Sequence, residues 1–368
     1  MAWRTKGYVS LLGAIEVRRA YYHCARCGVG QVPWDVELGM TQRDLTPAAT
    51  EVTTLAGTLG PFEQAAERTL VKMCGLRLSE SSVERVTEGA GQRLGQLLAA
   101  KQTFGPNRLW AWQRDAAGRT CAYVSLDATG VRQQGPRGAK ADGRMAYTAM
   151  IYNPDSAHDA RRLAPHQVRY LAGFYNLSEL GLQLRRQAGQ VGWDEAEQQI
   201  ALSDGGNGLE EFMHVNFPLA QCILDFYHAS EHVANLARVL HPSDEEAFQN
   251  QTSTWCHQLK HEGGAALLTT LEQLDLSTRS EAVRETYRQE TQYLRNNVHR
   301  TDYPRYLAQG WQVGSGPVEA ACKTVVGQRL KCSGMRWGSD GADALCHLRA
   351  LYLSEPDQWD TLWSAHPN

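Results

Sequence analysis

The fold is decided by the stretch Thr120-Cys121-Ala122-Tyr123-Val124-Ser125-Leu126-Asp127. It is rich in apolar, aromatic and β-branched residues and ends at an acidic residue that small residues follow, a composition typical of a buried strand. Two further β-rich runs follow, at 145–152 and 167–174, with separations typical of hairpins. The three runs together predict an antiparallel meander.

The pattern then changes from strands alone to alternating helices and strands. Helical periodicity covers 177–188 and 208–214, and short apolar strands are predicted at 199–203 and 221–226. Three strands, helix, strand, helix, strand is the ribonuclease H-like order. We therefore predict an α/β fold with a ribonuclease H-like mixed sheet as its core.

Helical patterns surround this core. The core itself is predicted in two parts, 119–228 and 307–368, the second carrying a helix with Glu319 and the C-terminal helices. An all-helical insertion is predicted between them, at 229–306, because apolar residues recur there at helical spacing.

The N-terminal third is predicted in two regions. Residues 1–40 alternate polar and apolar positions about Gly13, which predicts a β-hairpin, and then carry a partial zinc-ribbon turn. Residues 41–118 are predicted helical. A helix before Gly75 and a second helix with Ser81 and Glu84 as its capping box are compatible with a helix-turn-helix DNA-binding region; a packed helical hairpin is the alternative.

Composition excludes several classes of protein. The chain has 368 residues, 42% hydrophobic and 21% charged, which is typical of a globular protein, and no apolar run approaches the roughly 18 residues of a membrane span. The apolar segment 8–15 runs into Glu16 and Arg18 rather than a cleavage site, so it is not a signal peptide. A cytoplasmic protein with no membrane partner is predicted. The net charge of −3 requires any nucleic-acid site to be local.

Cysteine usage indicates reduced thiols, because an odd number of nine is spread along the chain. Cys24 and Cys27 alone have metal-ligand spacing. Tetrahedral zinc needs four ligands, and a neighbour such as His23 chelates the same ion poorly. The pair is therefore predicted either as a partial zinc site or as a plain turn with two free thiols.

Three carboxylates carry the predicted chemistry. Asp127 and Asp204 each end an apolar strand just before small residues, where α/β sheets place ligand groups, although either one alone could simply initiate a turn. Glu319 follows Pro317 at a predicted helix start, a position that acidic residues also favour for dipole reasons. Together the three provide the hard oxygen ligands of a two-Mg²⁺ site, in which Mn²⁺ can substitute, for phosphoryl transfer on nucleic acid.

These residues resemble a known family. The order Asp127, Asp204, Glu319, with a long insertion before the Glu, resembles a DDE transposase. The segments 204–208, 224–232, 303–306 and 310–337 are similar to the ISKra-type insertion-sequence transposases, which are relatives of the Mutator-like group.

The resemblance implies a function and its site. Asp127, Asp204 and Glu319 would be the catalytic, metal-binding triad for cleavage and strand transfer of DNA, with Asp127 bridging both ions. Asp225 and His228 match an accessory motif that would orient the site, touch a phosphate or cap a helix. The implied DNA contacts are Lys323, Arg329, Lys331, Arg336 and Trp337.

The resemblance also implies partners. These are double-stranded DNA, as transposon ends and target, and further copies of the chain in a homodimer or larger assembly at the bacterial nucleoid. Four aromatic residues could stack on an unpaired base or could be buried in the core: Trp255, Tyr293, Trp311 and Trp337.

The chain departs from the family at its beginning, where members carry an additional Cys-x-x-Cys before the hairpin. This predicts an N-terminally shortened copy. Two rival functions follow: a non-catalytic DNA-binding remnant or domesticated transposase, and another ribonuclease H-like DNA nuclease.

Overall fold

The computed structural model describes residues 1–38, 40, 44–154, 167–206, 208–314 and 316–364. Within these residues the chain forms two β-sheets, one of three strands near the N-terminus and one of five strands in the centre. Helices surround the central sheet. No helix among the described residues is long and apolar enough to cross a membrane.

The N-terminal sheet is built on the predicted hairpin. Strands β1 (Ala2–Ser10) and β2 (Gly13–His23) pair antiparallel, and the short β3 (Gly30–Gln31) adds to β2. Helix α1 (Pro33–Glu37) follows. The hairpin about Gly13 is therefore confirmed.

Four helices and a π-helical turn make up the next region and end at Ala99. They are α2 (Pro47–Leu59), α3 (Phe62–Gln64), the π-helical turn Ala65–Thr69, α4 (Leu70–Cys74) and α5 (Glu80–Ala99). The helical prediction is therefore wrong for 100–118, where the chain forms no helix. Helix α5 is capped by Ser79, whose hydroxyl accepts a hydrogen bond from the Ser82 amide. The predicted cap at Ser81 is wrong, because Ser79 has the extended backbone of a cap whereas Ser81 already lies within the helix.

The central sheet has the strand order β6-β5-β4-β7-β8. Its strands are β4 (Cys121–Val131), β5 (Arg144–Tyr152), β6 (Val168–Gly173), β7 (Gln198–Ser203) and β8 (Gln221–Leu224). The first three strands pair antiparallel, which confirms the predicted meander, and β4, β7 and β8 pair parallel. The predicted α/β fold with a mixed sheet is confirmed.

Side chains alternate between two hydrophobic cores on either side of this sheet. Along β4, Tyr123 faces one core and Val124 the other, as the twofold period of a strand requires. Helices α6 (Leu177–Gln190) and α7 (Leu209–Asn216) cover the Val124 side.

The helical insertion lies on the Tyr123 side of the sheet. Its elements are α8 (Phe226–Leu240), α9 (Glu245–Glu262), α10 (Gly264–Glu272), α11 (Glu281–Asn297), the 3-10 turn Val298–Arg300 and α12 (Tyr303–Ala308). Helix α8 packs against both α9 and α11. The segment is helical as its periodicity predicts, because Val233, Leu236 and Leu294 are buried between the helices.

The chain then returns to the sheet. Helix α13 (Gly316–Ala321) packs against β4 and β5, and the π-helical turn Cys322–Gly327 and α14 (Gln328–Leu330) continue it. Helix α15 (Ser339–Leu353) packs along α5 and β6, and α16 (Pro356–Ser364) closes the described chain.

Candidate active site

Three aspartates form a row across neighbouring parallel strands. Leu126 of β4 pairs with Ser203 of β7, and Ser203 pairs with Leu224 of β8. The next residue on each strand is an aspartate: Asp127, Asp204 and Asp225. Because β4, β7 and β8 pair parallel and in register, the three aspartates lie side by side. Asp204 and Asp225 stand just beyond the ends of β7 and β8, where α/β sheets place ligand groups, whereas Asp127 lies within β4.

Asp127 lies in a half-buried position inside β4. The predicted strand end at this residue is wrong, since β4 continues to Val131 while it pairs with β5. Burial raises the pKa of the Asp127 carboxyl above its usual range, and the neighbouring Asp204 carboxylate raises it further, whereas the Ala128 amide, the Cys322 thiol and His228 act in the opposite direction. A nearby cation would stabilise the ionised form of such a carboxylate.

Asp225 and His228 form a hydrogen-bonded pair beside Asp204. Asp225 is buried, and its carboxylate caps α8 by accepting a hydrogen bond from the Tyr227 amide at 3.1 Å. Its other oxygen lies 3.0 Å from His228 Nδ1, and His228 Nε2 lies 3.8 Å from Asp204 Oδ2. The pair therefore both caps a helix and directs an imidazole toward the aspartate row.

The electrostatics of His228 favour its charged form. The hydrogen bond to Asp225 raises the pKa of His228 to about 9; burial opposes this rise, and the Asp204 carboxylate adds to it. At neutral pH the imidazole is therefore a cation between two carboxylates.

Asp204 belongs to a tight turn as well as to the row. Its Oδ1 accepts a hydrogen bond from the Gly206 amide at 2.8 Å. Asp204 thus both initiates a turn and belongs to the aspartate row, so both interpretations of this residue apply. Asn207, part of the motif quoted for the family resemblance, lies outside the described residues.

Glu319 is exposed on the first turn of α13. Ser315, the residue before α13, lies outside the described residues. The chain before α13 contacts the start of α8. The Phe226 amide donates a hydrogen bond to Val313 O at 2.9 Å, and a Cβ on Gly314 would lie 2.6 Å from the Tyr227 ring. Val313 and Gly314, shortly before α13, therefore lie beside the first residues of α8.

The donor chemistry of the row suits a hard divalent cation. Asp127 and Asp204 supply carboxylate oxygens on adjacent strands, and Glu319 would be the third ligand from α13. In the described parts of the chain, however, no group of three or more His, Cys, Asp or Glu side chains is arranged to hold a metal ion. The structure brings the two aspartates together and does not bring Glu319 into a closed site with them.

The Cys24–Cys27 turn supplies only half of a zinc site. Both cysteines are exposed, and the turn between them is closed by a 2.9 Å hydrogen bond from the Gly28 amide to Cys24 O. Hydrogen bonds from Cys27 and from the Arg26 amide lower the pKa of the Cys24 thiol. Structural zinc needs four ligands, and this turn supplies only two thiols, so the residues present do not form a zinc site.

The predicted DNA contacts divide into two groups. Lys323, Lys331 and Arg336 are exposed, and Lys331 Nζ contacts Thr129 Oγ1 at the far end of β4. Arg329, by contrast, is only 1% exposed and Trp337 is buried. The prediction that these two residues contact DNA is wrong for the folded chain.

Packing explains the burial of Arg329. Val318, Ala321, Val325 and Arg329 share one helical face, which is buried along its whole length. The Arg329 guanidinium stacks over the rings of Phe62 (4.6 Å) and Trp337 (4.9 Å), and its Nε donates to a backbone oxygen, Gly57 O, at 3.0 Å. Burial lowers the pKa of Arg329 to about 10.

The remaining aromatic candidates are explained by packing. Trp255 and Trp311 are buried in the hydrophobic core, as the alternative interpretation predicts. Tyr293 is half-buried and stacks on His232 with ring centroids 3.5 Å apart. Tyr293 and Arg300 also contact the end of β7, which the sequence did not indicate. Both residues lie on the insertion, about 90 positions after that strand in the chain.

Neither protein-family models nor curated proteins contain a match to this chain.

Proposed function

We propose that this protein is a DDE transposase that cleaves DNA and transfers strands at the ends of an insertion sequence. The observation that carries the proposal is the pairing of Leu126 with Ser203, which sets Asp127 of β4 beside Asp204, the residue just past the end of β7. Paired carboxylates at such an edge, beside a cationic imidazole, suit phosphoryl transfer on a polyanion.

The strand order supports the same proposal. Numbered from β4, the sheet has the order 3-2-1-4-5 with the second strand antiparallel to its neighbours. A mixed sheet of this order, with Asp127 on its first strand and Asp204 after its fourth, supports the proposed ribonuclease H-like core. A helical segment between the second Asp and the Glu agrees with the family resemblance.

Each residue has a role in the proposed reaction. Asp127 and Asp204 would hold Mg²⁺ or Mn²⁺, and the family resemblance adds Glu319 of α13 as the third ligand. The metal, when bound, would stabilise negative charge on the phosphate and activate the attacking water or DNA 3′-hydroxyl. The His228 imidazolium would lie near the phosphate and offset its charge. The exposed cations Lys323 and Arg336 would contact the DNA backbone.

The proposed partners follow from the reaction. Transposition requires both ends of one element to be cut, so a homodimer or larger assembly on double-stranded DNA is expected. Such a protein acts in the bacterial cytoplasm, on the nucleoid.

The test is cleavage of labelled duplex DNA by the purified protein with Mg²⁺ or Mn²⁺. We expect the wild-type protein to nick or cut the duplex and the variant Asp204→Asn to lose this activity by a factor of a hundred or more, on the order expected for a metal ligand. Asp194→Asn, an exposed aspartate outside the row, is the matched control and should cut like the wild type.

Three results would contradict the proposal. One is DNA binding without cleavage by the wild type under all metal conditions, which would identify a DNA-binding remnant. Another is cleavage that Asp204→Asn leaves unchanged. The third is cleavage restricted to branched DNA, without strand transfer, which would identify another ribonuclease H-like nuclease.

A further inference from the structure

The end of strand β7 is held from the helical insertion. Arg300, in the 3-10 turn Val298–Arg300, is only 2% exposed. Its Nη1 donates to Ser203 Oγ at 3.2 Å, and its Nη2 donates to the backbone oxygen of Asp204 at 3.3 Å and to Asn297 Oδ1 at 2.5 Å. A buried guanidinium thus ties the last residues of β7 to the last turn of α11.

A second contact holds the residue after Asp204. The Gly205 amide donates to the hydroxyl oxygen of Tyr293 at 3.1 Å. The Tyr293 ring lies nearly parallel to the His232 ring, with 19° between their planes, and His232 Nδ1 contacts Glu290 Oε2. The Tyr293 side chain, which extends from α11, is therefore held against His232 of α8 while its hydroxyl contacts the residue after Asp204.

The fit at Gly205 is close. A Cβ added there would lie 2.4 Å from the Tyr293 hydroxyl oxygen, so the approach of the phenol to the backbone depends on glycine at this position. Gly206 and Gly208 follow, and Gly208 has a positive φ of 84°. One internal hydrogen bond, from the Gly206 amide to Asp204 Oδ1, closes this turn. Because glycine has little conformational preference of its own, contacts from outside the turn add to its order.

We propose that Tyr293 and Arg300 are positioning residues, through which the insertion fixes the direction of the Asp204 carboxylate relative to Asp127. This inference rests on the proposed function, because it assigns the contacts to a metal-binding site. The two contacts bracket Asp204, one on its own carbonyl oxygen and one on the next amide. The insertion is thereby part of the site rather than an appendage to the sheet.

The physical reason lies in the demands of a metal centre. Outer groups that orient metal ligands affect metal affinity or activity by about 10–100-fold. Asp204 follows the last residue of β7 and precedes three glycines, Gly205, Gly206 and Gly208. Small rotations about its backbone dihedral angles would therefore move its carboxylate oxygens away from Asp127. Hydrogen bonds to both sides of the residue restrict this rotation.

The test compares two tyrosines on the same helix. Tyr293→Phe keeps the ring that stacks on His232 and removes the acceptor of the Gly205 amide. Tyr287→Phe is the matched control, since the Tyr287 hydroxyl donates to Leu271 O at 3.2 Å, away from the aspartate row. Each variant thus loses one hydrogen bond made by an α11 phenol.

Three measurements are made on the full chain. They are hydrogen exchange of the peptide containing Gly205 without divalent cations, the rise in melting temperature with increasing Mn²⁺, and the Mg²⁺ concentration for half-maximal DNA cleavage. For Tyr293→Phe we expect faster exchange at this peptide and metal midpoints raised about tenfold. Tyr287→Phe should match the wild type in all three.

The outcomes separate this inference from the proposed function. A wild type that neither gains stability with Mn²⁺ nor cuts DNA overturns the proposed function, and this inference with it. A wild type that does both, while Tyr293→Phe has the exchange rate and metal midpoints of Tyr287→Phe, overturns this inference alone.

Discussion

The imidazole of His228 lies between two carboxylates, with Nδ1 3.0 Å from Asp225 Oδ2 and Nε2 3.8 Å from Asp204 Oδ2. Asp225 is buried and is the N-cap of α8, so the imidazole has a rigid support. This relationship joins the accessory motif of the sequence to the aspartate row.

The first prediction concerns Asp225→Asn. The asparagine oxygen can still cap α8, because Asn and Asp are equally good N-caps, but the charge that favours the imidazolium is lost. We expect DNA cleavage to fall about 10–100-fold with a melting temperature close to that of the wild type. Asp244→Asn, at the N-cap of α9, is the control. Unchanged cleavage in Asp225→Asn would show that His228 acts without its partner.

The second prediction separates two arginines of the C-terminal segment. Arg329→Ala removes a buried stack on two rings and a hydrogen bond to Gly57 O, so we expect the free energy of unfolding to fall by about 2–4 kcal/mol. Arg336→Ala changes an exposed side chain, and its stability should stay within about 0.5 kcal/mol. Urea unfolding measures both.

DNA titration at two salt concentrations completes that comparison. Arg336→Ala should weaken binding, most clearly at low salt, since phosphate contacts depend on salt. If Arg329→Ala instead retained full stability and lost DNA binding, the buried position of Arg329 would be contradicted.

The third prediction tests the packing of α5 on α15. A Cβ on Gly91 would lie 2.3 Å from Ala344 O, so Gly91→Ala should lower the free energy of unfolding by about 1–3 kcal/mol. Gly189, on α6, has open space at the same position. Gly189→Ala should raise stability by about 0.5–1 kcal/mol. Denaturation midpoints in urea decide, and equal effects of the two variants would refute the close approach of the helices.

The fourth prediction is a pH dependence of stability. His347 is buried beneath Gly95 and Gly173, and burial lowers its pKa below the usual value of about 6.5. The unfolded chain therefore binds a proton more readily than the folded chain. The stability contributed by neutral His347 is fully present above pH 6.5 and is lost as the pH falls below it.

The corresponding measurement is urea unfolding at pH 7.5 and pH 5.5. His347→Gln should reduce the loss of stability on acidification, whereas His261→Gln, at an exposed position, should leave that loss unchanged. A wild-type stability that stays constant between the two pH values would contradict the prediction.

Much of this architecture is already encoded locally. The apolar runs that end at Asp127 and Asp204 predict buried strands, and their alternation with helical periods predicts the mixed sheet. These features follow from the sequence because a strand or helix shows its periodicity in the few residues that form it.

Only the tertiary structure decided the rest. The register of three strands aligns Asp225 with Asp127 and Asp204. Arg329 is buried because it lies on the same helical face as Val325. The hold of Tyr293 and Arg300 on the end of β7 joins residues about 90 positions apart. Such contacts depend on how whole elements pack against one another, and the spacing of residues along a single element carries no record of them.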